Sequence, residues 1–349
     1  MEKPRIMTPT ESYVTVYPQF IKLADTQLND CHWTSSEIEV EKDKQDMMVN
    51  ASPALRHAIT TGLKLFTRYE MFAGKEYWLT RVLNAFPRPE VERMASVFGM
   101  FELAVHAPFY NKLNEVLGLD TDEFYLSYVD DPVLNDRVAF LDSLVDDEDD
   151  LKSIAVFSLV EGAILFGTFA LFKSCQSNGN NMAGNVVRGI DQSVVDEGLH
   201  QTGGAVLFRT AMDEMEGLAE LSIDPADMAS FVAYRRRLQE EVHAAARVLY
   251  EHEARIIDML CEKGDVGTGY NAPDAKVFAK HRLNVCVTDL GFDPVFPAEE
   301  VAVNPVASWF YNGVQKFQMN DFFVGQGREY TRNWDEEGFE WPDDEDEGE

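Results

Sequence analysis

The chain has 349 residues, of which 45% are hydrophobic, and a net charge of −31 from 61 acidic and 30 basic side chains. This length suits one large hydrophobic core or two smaller ones. The acidic balance argues against a nucleic-acid-binding protein, because phosphate contacts need lysine and arginine. No run of about 18 uncharged apolar residues and no N-terminal signal peptide occurs, so we expect no membrane contact and a cytoplasmic location. The cysteines form no CxxC pair, which is typical of thiols in a reducing cytosol; they are Cys31, Cys175, Cys261 and Cys286.

The first fifty residues are predicted to form an N-terminal arm. Their first thirty positions contain Pro4, Pro9 and Pro18 and show little hydrophobic periodicity. Trp33 follows this stretch. Taken alone, Trp33 is most simply explained as a packing residue that holds the arm against the body of the protein.

Two predicted helices each carry a single acid within an apolar surface. The first, from Pro53 to Phe86, places Glu70 on its apolar stripe. The second, from Val156 to Phe172, is apolar on nearly every side and contains Glu161. Acids are almost never fully buried unless they are paired, so each is either a metal ligand or a paired core carboxylate.

Each of these helices is followed along the chain by a helix that carries both a glutamate and a histidine. In the helix that begins at Pro89, Glu102 and His106 are four residues apart. Beyond the polar loop after the second apolar helix, Glu197 and His200 are three apart. Both spacings place the two side chains on one helix face.

The same order of ligand-type residues therefore occurs twice. The interval is 32 positions from Glu70 to Glu102 and 36 from Glu161 to Glu197, and each fits a long antiparallel helix pair. Four acids and two imidazoles are the ligands that two divalent metals need, and hard carboxylates with imidazoles suit Fe(II) or Mn(II). The sequence therefore predicts an all-α helical bundle with a dimetal-carboxylate site in its core.

The extra residue between Glu102 and His106 predicts a local distortion of the helix. Pro108 lies in the same helix and lacks the N–H group that would bond the carbonyl of Ala104. An inserted residue beside an interrupted hydrogen-bond ladder is typical of a π-bulge, which is common at functional sites. Tyr110 follows His106 by one turn and should point to the same side of the helix.

The rest of the chain divides into a connecting region, two further helices and a tail. Residues 118–150 are predicted to connect the two halves, and the patterns over 203–263 and 270–290 are helical. No glycine-rich phosphate loop is present. The acidic end of the chain keeps isolated aromatic residues, which fits docking to a partner; a merely solubilising tail is the alternative. The predicted domains are an arm (1–50), a helical bundle (51–318) and a flexible acidic tail (319–349).

Taken in chain order, these residues resemble the small, radical-generating beta subunit of class I ribonucleotide reductase. The resemblance covers roughly residues 18–341, and its most specific local part is the Asp196-Glu197-x-x-His200 motif. It implies a ferritin-like bundle in which Glu70, Glu102 and His106 bind the first metal and Glu161, Glu197 and His200 bind the second.

The resemblance also implies the roles of four residues outside the ligand set. Tyr110 matches the tyrosine that bears the radical. Trp33 and Asp196 match the internal transfer chain that begins at His106, and Tyr330 matches the tail tyrosine that relays the radical to the large subunit. The implied activity is that of a ribonucleoside-diphosphate reductase, in which the beta subunit passes its radical to the large subunit for reduction of ribonucleotides.

The resemblance further implies two iron ions as cofactors, with dimanganese and mixed manganese/iron pairs as alternatives. The implied partners are the large (alpha) subunit, bound through the C-terminal tail, and a second copy of the chain in a homodimer. Glu70 stands where the family usually has aspartate. The expected apolar pocket near the radical uses Leu165 and Phe169, while Ser193 falls on a position that is usually apolar.

Three other interpretations fit parts of this pattern. A ferritin-like iron store shares the four acids and two histidines, but it has no need of Trp33, Asp196 or a tail with Tyr330. A dimetal oxidase of the same fold should lack the tail and often the radical tyrosine. A purely structural acidic helical protein would leave six ordered ligand-type residues as a coincidence.

Overall fold

The structure, a computed structural model, describes residues 3–312, and every regular element in that range is helical. The predicted all-α bundle is therefore confirmed. Tyr330 and the rest of the predicted tail lie outside the described residues. The α-helices are α1 (Pro18–Asn29), α2 (Pro53–Met71), α3 (Leu83–Ala85), α4 (Pro89–Phe101), α5 (Ala107–Leu117), α6 (Asp122–Tyr125), α7 (Pro132–Val145), α8 (Asp150–Leu159), α9 (Phe166–Ser174), α10 (Gly184–Leu221), α11 (Pro225–Leu260), α12 (Ala272–Asp289), α13 (Ala298–Val301) and α14 (Ala307–Phe310).

Three of the long helical runs contain a π-helical segment. Phe72–Val82 joins α2 to α3, Glu102–His106 joins α4 to α5, and Val160–Ile164 lies between α8 and α9. The expected π-bulge between Glu102 and His106 is therefore confirmed. Such segments occur frequently at functional sites, and the second and third contain predicted metal ligands.

The N-terminus of α10 is capped by two aspartates from the arm. The carboxylate of Asp43 accepts a hydrogen bond from the backbone N–H of Val186 at 2.7 Å, and that of Asp46 accepts one from Ala183 at 2.9 Å. Negative side chains at this end complement the dipole of the 38-residue helix. The caps tie the arm to the helix that carries the second glutamate–histidine pair.

The arm also contains a helix that the sequence analysis did not predict. α1 begins at Pro18, which suits the first helical position because the proline's missing N–H needs no partner there. Its buried side chains, Phe20, Leu23, Ala24 and Gln27, have helical spacing and face α4 and α10. The prolines before this helix obscured its short hydrophobic periodicity in the sequence. The arm therefore packs on the bundle through a regular helix that was not predicted.

The region 118–150 is more than a connection, because α7 fills most of its second half. Asp131 caps α7, and its carboxylate accepts hydrogen bonds from the backbone N–H groups of Val133 and Leu134 at 3.0 and 3.2 Å. α7 packs on α8 and α11. The helical pattern over 203–263 corresponds to the end of α10 together with α11, and that over 270–290 corresponds to α12.

One stretch within Asp150–Ser174 is long and apolar enough to cross a membrane by length and composition, with a mean hydropathy of 2.0. All of that stretch is buried inside the bundle. A helix that is hydrophobic all round and enclosed by its own protein meets the same criterion. It is therefore the core helix of the bundle, and it carries Glu161.

A buried ion pair joins α7 to α11. The Nη2 atom of Arg137 lies 3.1 Å from Oε2 of Glu253, and both side chains are almost fully buried. Burial raises the pKa of Glu253 from 4.5 to about 7, although the Arg137 guanidinium acts to lower it. Between these two values the folded protein binds more protons than the unfolded chain, so ionisation of Glu253 lowers the stability as the pH rises through that range.

We expect the substitution Glu253→Gln to remove this pH dependence. Between pH 4.5 and pH 7, the free energy of unfolding of the wild type should fall by up to roughly 3 kcal/mol relative to the variant, at about 1.36 kcal/mol per pKa unit. Urea unfolding at a series of pH values and constant ionic strength measures the difference. Glu251→Gln, at an exposed position of the same helix, is the control. Parallel curves for wild type and Glu253→Gln across this window would contradict the prediction.

Candidate metal centre

The six side chains predicted as metal ligands come together in the core of the bundle. α2 contributes one acid, the two π-helical segments at 102–106 and 160–164 contribute three side chains, and α10 contributes two. Their relative exposure does not exceed 3%. Four acids at this depth need compensating positive charge, because buried carboxylates are costly unless they are paired or coordinate a metal. The six are Glu70, Glu102, His106, Glu161, Glu197 and His200.

The first group of ligands surrounds His106. Its Nδ1 atom lies 3.1 Å from Oε2 of Glu102, 3.3 Å from Oε1 of Glu197 and 3.5 Å from Oε2 of Glu70. One ligand atom from each of these four residues lies within 4.8 Å of all the others. The group therefore has the size of a single metal position.

The second group surrounds His200. Its Nδ1 atom lies 2.5 Å from Oε1 of Glu102 and 3.9 Å from Oε2 of Glu197, and Glu161 completes the set. Glu102 and Glu197 belong to both groups. The resemblance implies that each of these acids binds one metal, and the structure places both acids within reach of both groups.

Several atoms that face the two groups have no hydrogen-bond partner among the described residues. They include Oε1 of Glu70, Oε1 of Glu102, both carboxylate oxygens of Glu197 and Nδ1 of His200. The Glu102 and His200 atoms lie close together without the alignment of a hydrogen bond, so their lone pairs converge on shared space. These oxygen and nitrogen donors fit two divalent cations of the iron or manganese type.

The ionisation of the cluster also supports binding of cations. Burial and neighbouring carboxylates raise the pKa of Glu70 and of Glu161 well above the ordinary value. Burial would also raise the pKa of Glu102, but His200 and His106 hold it below its usual range. Burial acts to lower the pKa of His106, yet Glu102 and Asp196 raise it well above 6.5. Protons therefore balance these acids when metal is absent, and metal binding should release them.

A hydrogen-bonded network fixes the orientation of both imidazoles. Asp196 accepts hydrogen bonds from Nε2 of His106 at 2.9 Å, from Nε1 of Trp33 at 2.7 Å and from Nε2 of Gln27 at 2.8 Å. Because the amide nitrogen of Gln27 donates to Asp196, its Oε1 must accept from Nε2 of His200, 3.1 Å away. Each histidine thus donates a proton from Nε2 and turns Nδ1 toward the cluster, so that loss of an Nδ1 proton would leave a lone pair directed at a metal.

Two residues of this surrounding layer were missed by sequence reasoning. Gln27 lies on α1, a helix that was not predicted, and its role arises only from tertiary contact. Trp78 donates from Nε1 to Oε1 of Glu161 at 2.9 Å and is fully buried. Trp78 was visible in the sequence only as one of several apolar positions. A tryptophan N–H within a buried segment needs an acceptor, and that requirement was the available signal.

Tyr110 lies in a buried, largely aromatic setting near the cluster. Its ring is fully buried, with the ring centroid of Phe66 at 4.6 Å, and Phe66 in turn contacts Phe169 at 5.6 Å. Burial, together with the nearby carboxylate of Glu70, raises the pKa of Tyr110 well above 10.0. Its hydroxyl donates a hydrogen bond of 3.2 Å to Oγ of Ser193, the position that departs from the family's apolar pattern.

Leu165 and Trp33, two further predicted site residues, are also buried. Leu165 is a turn residue between the π-helical segment at 160–164 and α9. The indole of Trp33 stacks on the imidazole of His106, with ring centroids 5.8 Å apart and planes inclined by 27°. Trp33, Asp196 and His106 thus form one continuous contact chain that leads from the cluster toward the arm.

A small cavity of about 10 Å³ borders the cluster. It is lined by the acids Glu70 and Glu161, by Tyr69, and by apolar side chains that include Phe157 and Ile164. Its volume is that of about one small molecule the size of water. A small ligand in this cavity would contact Glu70, which belongs only to the first group, and Glu161, which belongs only to the second.

Comparison with known proteins identifies the family. The family model described as "Ribonucleotide reductase, small chain" matches residues 13–305. A curated relative, the ribonucleoside-diphosphate reductase 2 subunit beta of Escherichia coli (strain K12), is 24% identical over 278 residues, which span 78% of this chain and 77% of that protein.

Solved structures show the same fold at low sequence identity. The dimanganese(II)-NrdF of Streptococcus sanguinis superposes with a TM-score of 0.69 at 18% identity, covering 87% of this chain and 99% of that one. A putative class I ribonucleotide reductase from Bacillus halodurans gives a TM-score of 0.69 at 19% identity, covering 83% and 97%. The ribonucleotide reductase R2 subunit of Clostridium botulinum gives 0.61 at 17%, covering 89% and 88%. The chain therefore belongs to the ribonucleotide reductase small-chain family and is a small subunit of class I ribonucleotide reductase, an oxidoreductase, with a buried carboxylate–histidine cluster that could hold two metal ions.

Proposed function

We propose that this subunit generates and stores a radical on Tyr110 and delivers it through Trp33 to a large subunit that reduces ribonucleotides. The observation that carries the proposal is the series of contacts from His106 through Asp196 to Trp33, with Tyr110 near enough to the cluster for the charge of Glu70 to act on its hydroxyl. Tyr110 stands one turn beyond His106 in an apolar pocket, and the opposite edge of the His106 ring is hydrogen-bonded to Asp196. Trp33 both stacks on His106 and donates to Asp196.

In this proposal, six residues hold the two metals. Glu70 and His106 would hold one metal, Glu161 and His200 would hold the other, and Glu102 and Glu197, which belong to both groups, would be shared between them. Two iron ions are the metals we expect, with a dimanganese or mixed pair as the alternative, because the donor set suits both elements. When bound, these metals would supply the oxidising power, drawn from dioxygen, that removes one electron from Tyr110.

The protein's own residues control the proton and the surroundings of the radical. Oxidation of Tyr110 releases its hydroxyl proton. The hydroxyl of Ser193 accepts the Tyr110 hydrogen bond and orients the phenol, but it is too weak a base to keep the proton, so the nearby carboxylate of Glu70 is the group that would receive it. Phe66 and Phe169 keep water from the ring, which protects the radical from reduction. Asp196 keeps the proton of His106 on Nε2, so that the electronic path from Trp33 to the cluster stays hydrogen-bonded.

The remaining parts of the chain complete the proposal. The tail at 319–349, with Tyr330 as its relay residue, docks to the large subunit, and the bundle at 51–318 with the arm at 1–50 holds the radical site. The subunit acts as a cytoplasmic homodimer. A ferritin-like iron store would not require the Trp33–Asp196–His106 chain, which is the feature of the site that favours radical transfer.

The bridging geometry predicts different metal losses for different acids. Glu102→Ala should lose both metals because it removes a ligand from both groups, whereas Glu161→Ala should lose one of the two. Each metal-free protein is loaded anaerobically with excess Mn(II), desalted, and assayed for metal by mass spectrometry. We expect two ions per chain in the wild type, one in Glu161→Ala and almost none in Glu102→Ala.

Glu115→Ala is the matched control, since this exposed glutamate lies beyond the cluster on the same helical run. Circular dichroism establishes that each variant is folded, and Glu102→Gln repeats the test with a side chain of nearly the same shape. Equal metal content in Glu102→Gln and the wild type would refute the bridging role. A wild-type protein that retains no metal would refute the dimetal function itself.

A further inference from the structure

Arg282 is a buried cation that the radical chemistry does not use. It lies on α12, is only 2% exposed, and stands between the π-helical segment at 160–164 and the last described residues of the chain. A buried arginine is costly to desolvate, so its hydrogen-bond partners report what it holds in place. Those partners belong to two parts of the protein that the sequence separates by about 150 positions.

One set of contacts grips the helix that carries Glu161. The Nε atom of Arg282 donates to the carbonyl oxygen of Gly162 at 2.8 Å. The guanidinium carbon lies 4.1 Å from the ring centroid of Phe166, the first residue of α9. Arg282 therefore holds both sides of the break at Leu165, and the first of these contacts is to the residue directly after Glu161.

The other set of contacts holds the residues that precede the C-terminal segment. The Nη1 atom of Arg282 donates to the hydroxyl of Tyr311 at 3.1 Å. The neighbouring ring of Phe310 packs on Phe166 and Phe278, with centroid distances of 5.7 and 4.8 Å. Lys173, on α9, donates to the carbonyl oxygen of Asn312 at 3.4 Å. Residues 310–312 are thus seated on the same helical run that carries Glu161.

The π-helical segment has little space in which to move independently of Arg282. A Cβ atom built on Gly162 would lie 2.4 Å from Sγ of Cys286 and 2.4 Å from Cγ of Gln201. Cys286 lies one turn beyond Arg282 on α12, and Gln201 directly follows the ligand His200 on α10. Because these neighbours pack directly on the glycine, a shift of α12 at Arg282 would displace the backbone beside Glu161.

We propose that Arg282 is a positioning residue that couples the placement of Glu161 to the placement of residues 310–312. Metal loading at the centre and seating of the chain's end on α9 then favour each other, since a coupling free energy between two sites acts in both directions. The inference rests on the proposed role of Glu161 as a metal ligand. It adds a route by which the loaded state of the centre is communicated to the segment that leads into the predicted docking tail.

A double-mutant cycle on the full-length chain tests the coupling. Mn(II) is titrated into metal-free protein, and the free aqua ion is followed by its electron paramagnetic resonance signal. Arg282→Gln should weaken Mn(II) binding by about 10-fold at the position that loses its ion in Glu161→Ala, in the range found for groups that orient ligands. Tyr311→Phe should weaken it by a few-fold in the wild type and should have no further effect when Arg282→Gln is already present.

Hydrogen exchange provides a second test of the coupling that does not depend on measuring Mn(II) affinity. In the wild type, Mn(II) at saturation should slow amide exchange in peptides covering 158–166 and also in peptides covering 306–312. In Arg282→Gln at saturating Mn(II), exchange should still slow in 158–166 but should no longer slow in 306–312. In Tyr311→Phe, the slowing in 306–312 should be reduced and not lost completely. Arg255→Gln, which removes an arginine paired with Asp136 at the surface, is the control.

The outcomes separate this inference from the proposed function. The coupling would be overturned if the effects of Arg282→Gln and Tyr311→Phe on Mn(II) affinity were additive. It would also be overturned if Mn(II) slowed amide exchange in 158–166 but not in 306–312. Either outcome would leave the metal centre intact. Mn(II) binding that is insensitive to Glu161→Ala would instead overturn the ligand assignment. If Arg282→Gln does not fold, Tyr311→Phe and Arg282→Lys carry the exchange experiment, and an unchanged response at 306–312 in both would overturn the coupling.

Discussion

Replacing Tyr110 by phenylalanine should give a protein that binds its metals as the wild type does but forms no tyrosyl radical. The ring keeps its place between Phe66 and Phe109, and only the hydroxyl with its bond to Ser193 is lost. Such a loss costs about 1 kcal/mol, which is small against the stability of a folded domain. After the metal-free protein is loaded with Fe(II) in air, electron paramagnetic resonance should show a tyrosyl doublet in the wild type and none in the variant, at equal iron content.

Tyr125→Phe is the control for this experiment, because Tyr125 is a half-buried tyrosine whose hydroxyl bonds Asn111 away from the cluster. Its doublet should match that of the wild type. An undiminished doublet in Tyr110→Phe would assign the radical to another side chain. A wild type that binds iron and stays silent would point to manganese, and loading with Mn(II) and an oxidant then decides whether Tyr110 is oxidised at all.

The six residues of the buried cluster were predictable because the chemistry of metal ligation limits the choice of residue. An acid on an apolar helix face is rare, and its recurrence before a glutamate–histidine pair fixed the order of the elements. The same logic identified the π-bulge, since one extra residue between Glu102 and His106 must be absorbed by the helix if both side chains are to face the core. The sequence pattern was therefore sufficient where the residues with ligand chemistry also lie on the apolar face of a predicted helix.

The residues that support the ligands were not predictable by the same reasoning. Gln27 looks like an ordinary polar residue, and its bridge between Asp196 and His200 exists only once α1 packs on the bundle. Arg282 donates a hydrogen bond to the backbone carbonyl of Gly162, and no sequence pattern indicates such a contact. The presence of Glu102 and Glu197 in both groups of side chains likewise depends on distances between helices. Tertiary contact decides each of these, so the structure was required.

Deleting residues 322–349 should abolish turnover with the large subunit and leave the radical intact. The six proposed ligands, Tyr110 and Trp33 all lie within the described residues, so the truncated chain keeps every group that the radical needs. The deleted segment carries the aromatic and acidic residues expected to dock to the partner. Ribonucleotide reduction is measured with the cognate large subunit, the tyrosyl doublet is measured in parallel, and a truncated protein that still supports turnover would refute the tail assignment.

Tyr330→Phe in the full-length chain separates docking from radical relay. If Tyr330 passes the radical across the interface, this variant should compete with the wild type for the large subunit at an unchanged affinity while its own turnover is lost. A synthetic peptide of residues 322–349 should inhibit the wild-type complex by occupying the same surface, because the tail then binds without the radical site attached. Full turnover by Tyr330→Phe together with inhibition by the peptide would retain the docking role and remove the relay from Tyr330. Lost affinity in Tyr330→Phe would instead make the phenol hydroxyl a docking contact.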